Sequence, residues 1–338
     1  MKNYKIALIA CSNGHGHVRR LSFLAKFLSN YKIKVDLYAE MNKVLKFLNI
    51  ENLNNINLIN FDSKTTEKDF KLGKQKTWLH LINKVDNYDL VISDNLVDIL
   101  EIRPDAVIMA SFFWHDILKN ISNEYVINSK NLLKKYKPTI IGSKIFSCNS
   151  VKRNLNFFGT GLFINNEKKI NSTIKKTDLL LSYGWGGNSI LKFKKIIKKI
   201  QNPYPFNTIW LEPSLYNSNM PSFFMPANYE PSMYQKLICS VIRPGLGTIA
   251  ECLNFNVKVF ALEDNNNKEI KHNSKQLKKY KVGEYFNNLN DALLAATKYA
   301  KDSKRYIFFN NEIKKIDFDG LKQTSDLIFK MLDIKKLL

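Results

Sequence analysis

Cys239-Ser240-Val241-Ile242-Arg243-Pro244-Gly245-Leu246-Gly247-Thr248-Ile249-Ala250-Glu251-Cys252-Leu253 reads as a buried strand, a glycine turn and a helix. A short, mostly apolar run stopped by Pro-Gly is a strand signal. Thr248–Leu253 then takes up a helical pattern. Glycine lets the chain turn sharply and lets a ligand approach the backbone. The N–H groups at the start of a helix favour negative charge, so those of Gly247 and Thr248 suit a diphosphate. Glu251 lies one helical turn beyond Gly247, where a carboxylate can accept from two sugar hydroxyls. The plainer reading is a glutamate that serves the helix dipole.

The same plan occurs twice more. Strand Lys5–Cys11 runs into Ser12-Asn13-Gly14-His15-Gly16-His17-Val18-Arg19-Arg20, and strand Asp178–Ser182 into Tyr183-Gly184-Trp185-Gly186-Gly187-Asn188-Ser189. Other expected strands are Lys34–Tyr38, Leu90–Ser93, Ala106–Ser111, Thr139–Phe146, Thr208–Leu211 and Val257–Leu262. Expected helices include Val18–Leu28, Gln75–Val85, Asn95–Leu100, Ser189–Ile200 and Glu269–Tyr280. Such alternation is the pattern of parallel sheets covered by helices, an α/β protein. With 338 residues, about two domains of roughly 150 residues are expected. The pattern breaks around Asn156–Gly161, read as a crossover. The expected division is therefore 1–158 and 159–320, with the last helix, 321–338, packing back on the first domain.

Composition narrows the function. The chain is 45% hydrophobic and 24% charged, which excludes general disorder. No apolar run approaches the roughly 20 residues of a membrane helix, and the start reads as a strand instead of a signal peptide. Cys11, Cys148, Cys239 and Cys252 form no CxxC pair, which fits a reducing cytoplasm. The net charge of +22 rests almost wholly on lysine, with arginine only at 19, 20, 103, 153, 243 and 305. Arginine is the preferred reader of base edges, so nucleic acid is not expected as a partner. Drift in composition, a polyanionic acceptor, or peripheral contact with an anionic membrane face accounts for the charge.

At the first turn, Gly14, His15 and Gly16 precede His17, and Arg20 follows on the helix. A histidine at this place sits on the carboxyl edge of the sheet, where open α/β sheets bind ligands. Its ordinary titration range suits a general base. Asp94, after Leu90–Ser93, lies on the same edge and can orient the imidazole; a helix N-cap is the alternative. Trp114, with Phe112, Phe113 and His115, can line an acceptor site. Arg19 stands where a dinucleotide fingerprint needs its third glycine, although Glu40 could serve a ribose. Asp317-Phe318-Asp319 imitates a metal-binding Asp-x-Asp but sits near the end of the chain, and no zinc spacing is present.

Taken in order, these motifs resemble the GT-B nucleotide-sugar glycosyltransferases. Gly245-x-Gly247-Thr248-Ile249-x-Glu251, then Glu263-Asp264-Asn265 and Glu269–Ser274, resemble the donor half of the bacterial wall N-acetylglucosaminyltransferase that makes lipid II. Gly14-x-Gly16-His17-x-x-Arg20 resembles the nucleotide-sugar hydrolase of pseudaminic acid synthesis, which shares that fold. The resemblance implies two Rossmann-like domains facing across a cleft. It implies a UDP-linked sugar as donor and a hydroxyl acceptor, lipid-linked or polyanionic, with neither cofactor nor metal. His17 would be the base. Gly245, Gly247 and Thr248 would hold the diphosphate and Glu251 the ribose, with Arg243 and Leu246 also on the donor side. Gly184, Trp185, Gly186, Gly187 and Asn188 would close over phosphate or sugar, and Asn228, within Phe224–Tyr229, would lie beside the base. Glu269 and Asn273 match a donor-sugar motif, but Ile270 replaces its glutamine. The expected activity is inverting glycosyl transfer. Hydrolysis with water as acceptor, and binding without catalysis, are the alternatives.

Overall fold

The computed structural model describes residues 4–48, 54–63, 78–82, 85–119, 121–164, 174–184, 190–264 and 267–333. The chain divides into two compact units. The first comprises residues 1–163 with 318–338, and the second 164–317.

The first unit is built on a seven-stranded sheet in the order β3-β2-β1-β4-β5-β6-β7. Its strands are β1 (Lys5–Ala10), β2 (Lys34–Ala39), β3 (Ile56–Asn60), β4 (Leu90–Asp94), β5 (Val107–Met109), β6 (Ile140–Ser143) and β7 (Phe157–Thr160). All neighbours pair in parallel. Ile6 to Ala10 are wholly buried, as a strand covered on both faces must be. Helix α1 (Gly16–Ser29) covers one face through Leu21, Leu24 and Leu28. This i, i+3, i+7 stripe stabilises by about 1.5–3 kcal/mol per leucine. Val97, Ile99, Leu100, Tyr125 and Leu132 cover the other face.

The second unit holds a six-stranded parallel sheet, β10-β9-β8-β11-β12-β13. These strands are β8 (Asp178–Ser182), β9 (Ile209–Leu211), β10 (Phe224–Pro226), β11 (Leu237–Ile242), β12 (Lys258–Leu262) and β13 (Gly283–Phe286). In each sheet the order reverses beside the strand that feeds a glycine turn. The reversal lies between β1 and β4 in one and between β8 and β11 in the other, which puts a ligand crevice at the carboxyl ends of those pairs.

Several expectations change. Asn156–Gly161 contains β7, so residue 158 falls inside a strand. The segment expected as strand Thr139–Phe146 turns after Ser143, whose hydroxyl accepts from the Ile145 and Phe146 N–H groups. Instead of helix Asn95–Leu100 there is a tight 3-10 turn, Val97–Glu101. Of Gln75–Val85, residues 75–77, 83 and 84 lie outside the described residues, and Leu79–Leu81 is again 3-10. Of the expected last helix, 321–338, the described part is helix Gly320–Met331, and residues 334–338 lie outside the described residues. Its Leu321, Ile328 and Phe329 join the core under α1, and the Phe329 ring lies 4.9 Å from that of Tyr31. No described helix is long and apolar enough to cross a membrane.

Candidate active site

In the first unit the β1 turn delivers His17 and Arg20 to the same face of α1, three residues apart. Adjacent strand β4 ends at Asp94, in register with Ala10. His17 Nδ1 lies 2.7 Å from Asp94 Oδ1. Arg20 grips the same carboxylate twice, Nε donating to Oδ2 at 2.8 Å and Nη2 to Oδ1 at 2.6 Å. Asp94 is fully buried. Burial pushes its carboxyl up, but the charges of Arg20 and His17 and their hydrogen bonds outweigh that and hold it below the usual carboxylate range. An ionised carboxylate only accepts, so Nδ1 of His17 carries a proton in either charge state, and in the neutral ring the lone pair lies on Nε2. Trp114 and Phe112 wall the imidazole at ring distances of 5.9 and 6.3 Å. Asp94 is therefore no N-cap.

His15 precedes α1 and meets Lys46 Nζ through Nε2 at 3.3 Å. Burial, followed by Lys46 and Lys43, lowers its affinity for a proton. Glu40 is paired with Lys43, which also donates to the Ser12 carbonyl at 2.7 Å. Its carboxylate thus serves the turn, which speaks against the ribose reading. At Gly14 and Gly16 an added Cβ would meet nothing within 4 Å, but Gly14 has a φ of +84°, where glycine is at ease, so only Gly16 would take a side chain without strain.

In the second unit Ser182 and Ile242 are register partners, so the chain leaves β8 and β11 side by side. Gly245 caps helix Leu246–Asn254 with φ −70° and ψ 138°. An added Cβ there would also meet nothing within 4 Å. Asn273, itself buried, donates to the Pro244 carbonyl at 3.0 Å, and Arg243 Nε lies 3.5 Å from Asp264 Oδ2. The helix thus starts from a pinned turn, with Gly247 and Thr248 in its first turn. Glu251 follows on the same helix with 5% exposure.

Glu212, which no motif suggested, organises the neighbouring turn. It accepts from the Gly184 N–H at 2.7 Å, from Ser182 Oγ at 3.0 Å and from Ser214 Oγ at 3.1 Å. It holds Gly184 at a φ of +71°, where glycine is at ease. The one sequence signal for it is position, directly after β9 on the carboxyl edge.

The architecture matches solved structures. Calicheamicin glycosyltransferase CalG4 aligns with a TM-score of 0.66 at 13% identity, over 98% of this chain and 99% of that one. The kitacinnamycin glycotransferase gives 0.65 at 12%, over 98% and 100%. Glycosyltransferase SnogD of Streptomyces nogalater gives 0.62 at 9%, again over 98% and 100%. The chain has the GT-B fold. By sequence, no family model and no curated protein matches it.

Within this GT-B frame the expected residues are only partly gathered. His17, Asp94, Arg20 and Trp114 form one cluster. Gly184, Arg243 and Gly245 follow the ends of the adjacent strands β8 and β11, and Asn273 reaches the Pro244 carbonyl from helix Lys268–Lys279. Trp185, Gly186, Gly187 and Asn188 lie outside the described residues. Asn228 is exposed and accepts from the Glu230 N–H at 3.0 Å, a local turn contact. Glu269 sits in the first turn of helix Lys268–Lys279. Ile270 is buried, so its side chain serves the core. Among the described residues no group of three or more His, Cys, Asp or Glu could hold a metal ion.

Proposed function

We propose that the chain is an inverting glycosyltransferase that moves a sugar from a nucleotide donor, UDP-linked in the first instance, to an acceptor hydroxyl. The observation that carries this reading is the buried Asp94 carboxylate on His17 Nδ1 at the switch point of the first sheet. Such a pair fixes the tautomer and stabilises the imidazolium that forms. His17 Nε2 takes the hydroxyl proton while that oxygen bonds to the anomeric carbon. The bond from that carbon to the diphosphate oxygen breaks, and its electron pair leaves with the nucleotide. Backbone N–H groups at Gly247 and Thr248 stabilise the departing charge, and Glu251 takes the ribose hydroxyls. The solved structures of like fold are named as glycosyltransferases, which supports the class of reaction.

The second reading is hydrolysis, with water in place of the hydroxyl. The complete Gly14-x-Gly16-His17-x-x-Arg20 motif favours it. Incubation with UDP-sugars, with and without acceptors, separates the two. Sugar released without acceptor means hydrolysis, and turnover only with acceptor means transfer. In either case His17→Ala is expected to lower turnover by roughly 10²–10⁴, the share of a general base, with UDP binding kept. Full turnover by the folded variant would remove the base from the mechanism.

A further inference from the structure

Asp94 holds more than a histidine. In a simple His–carboxylate pair the whole negative charge bears on the imidazole and strengthens its hold on a second proton. Here the side-on fork of Arg20 covers both oxygens, and Oδ1 is shared between Arg20 Nη2 and His17 Nδ1. Guanidinium stays protonated at any working pH. The trio is therefore neutral overall while the ring is neutral, and carries +1 once the ring is protonated.

The other charged groups near this turn have partners of their own. The segment after β5 offers His17 the rings of Phe112 and Trp114. Lys43 is engaged by Ser12 and Glu40, and Lys46 by His15. Arg19 stacks over the Phe23 ring at 4.7 Å.

We infer that Arg20 is a positioning residue that sets the strength of the base. It fixes the Asp94 carboxylate by two bonds and offsets its charge. His17 then keeps an oriented Nδ1–H while Nε2 stays unprotonated, and ready to act, in more acidic solution than an isolated His–Asp pair allows. The consequence for turnover rests on His17 acting as base, as proposed above. The consequence for the ring does not.

The test is NMR of the His17 ring in the ligand-free protein, its signals assigned by their loss in His17→Ala. Arg20→Gln removes the charge. The midpoint of ring protonation is expected to rise by about one pH unit, the usual size for one charge at this range. Arg20→Lys keeps the charge and should stay within about 0.3 unit of the wild type, since charge and not the fork sets the midpoint. A midpoint that is unmoved or lower in Arg20→Gln overturns the inference. If that variant does not fold, Arg20→Met, which also removes the charge, decides by the same criterion. In turnover, the acid limb of kcat/KM should move with the ring in Arg20→Gln. A ring that moves while turnover shows no matching limb upholds Arg20's hold on the ring and rejects His17 as the base.

Discussion

Asn95, directly after the site carboxylate, has a φ of +62° and 1% exposure. Neither atom of its side-chain amide meets a hydrogen-bond partner. A buried, unpaired polar group costs about 1–3 kcal/mol, and the left-handed backbone adds a little more for a residue with a Cβ. Asn95→Gly is therefore expected to stabilise the fold by about 1 kcal/mol or more, read as a higher denaturant midpoint. A lower midpoint would mean that the amide supports the turn. Asp94 predicts an acid limit. Its folded carboxyl titrates below the usual 3.8, so its pairing stabilises fully above that range and is lost as pH falls through it. Asp36 is also held down. Burial pushes it up, but hydrogen bonds from Lys5, Tyr88 and Asn57 win. Thermal melts between about pH 5 and pH 3 should show falling stability, with a shallower fall in Asp94→Asn. An unchanged slope in that variant would deny Asp94 its share.

At the scale of the element, three glycines part company. Gly184 needs its left-handed φ, so Gly184→Ala should destabilise by about 1 kcal/mol. Gly16 and Gly245 have ordinary backbone angles or helical placement and open space where a Cβ would go. Their alanine variants should fold at least as stably, while on the proposed function Gly245→Ala should weaken UDP binding, since the added methyl would stand where a diphosphate would approach. A Gly245→Ala protein that binds UDP unchanged would leave that turn without a ligand. The same contrast explains how much could be read from the sequence. Strands β1, β8 and β11 were legible because both their faces are apolar. The turns after them were legible because glycine clusters stand out. Edge strands β3, β10 and β13 were not, since one-sided burial mixes polar residues such as Asn57 and Glu284 into the pattern. At the site, His17 and Asp94 could be matched because both lie at carboxyl ends of strands. The double grip of Arg20 depends on its reach across to β4, and the role of Glu212 on the Ser182 hydroxyl and Gly184 N–H that meet it from the neighbouring strand end. Neither follows from spacing along the chain.

Across the whole molecule, the second unit is an insertion. The first unit's chain leaves after Phe163 and resumes at Phe318. The two crossings are clipped together: Gly161 N–H donates to Gln323 Oε1 at 2.9 Å, and Gly320 N–H to the Leu162 carbonyl at 3.2 Å. An added Cβ at Gly320 would land on the Gly161 carbonyl. Ile328→Ala, in a wholly buried position, should cost about 2–5 kcal/mol. In amide exchange the loss of protection should fall on α1 and spare helix Leu246–Asn254, although the latter is far closer in sequence. Loss in both equally would make the molecule one cooperative block. The net charge of +22 gives a further expectation. Binding to anionic vesicles should fade as salt shortens the Debye length to about 8 Å at physiological strength. Equal binding to neutral vesicles would leave composition as the better account. The clip also sets a timetable for biosynthesis. Helix Gly320–Met331 leaves the ribosome only after the entire inserted unit, so a nascent chain carries α1 with part of its apolar surface bare until then. For that interval the first unit lacks part of its core, while the inserted unit already has all of its strands.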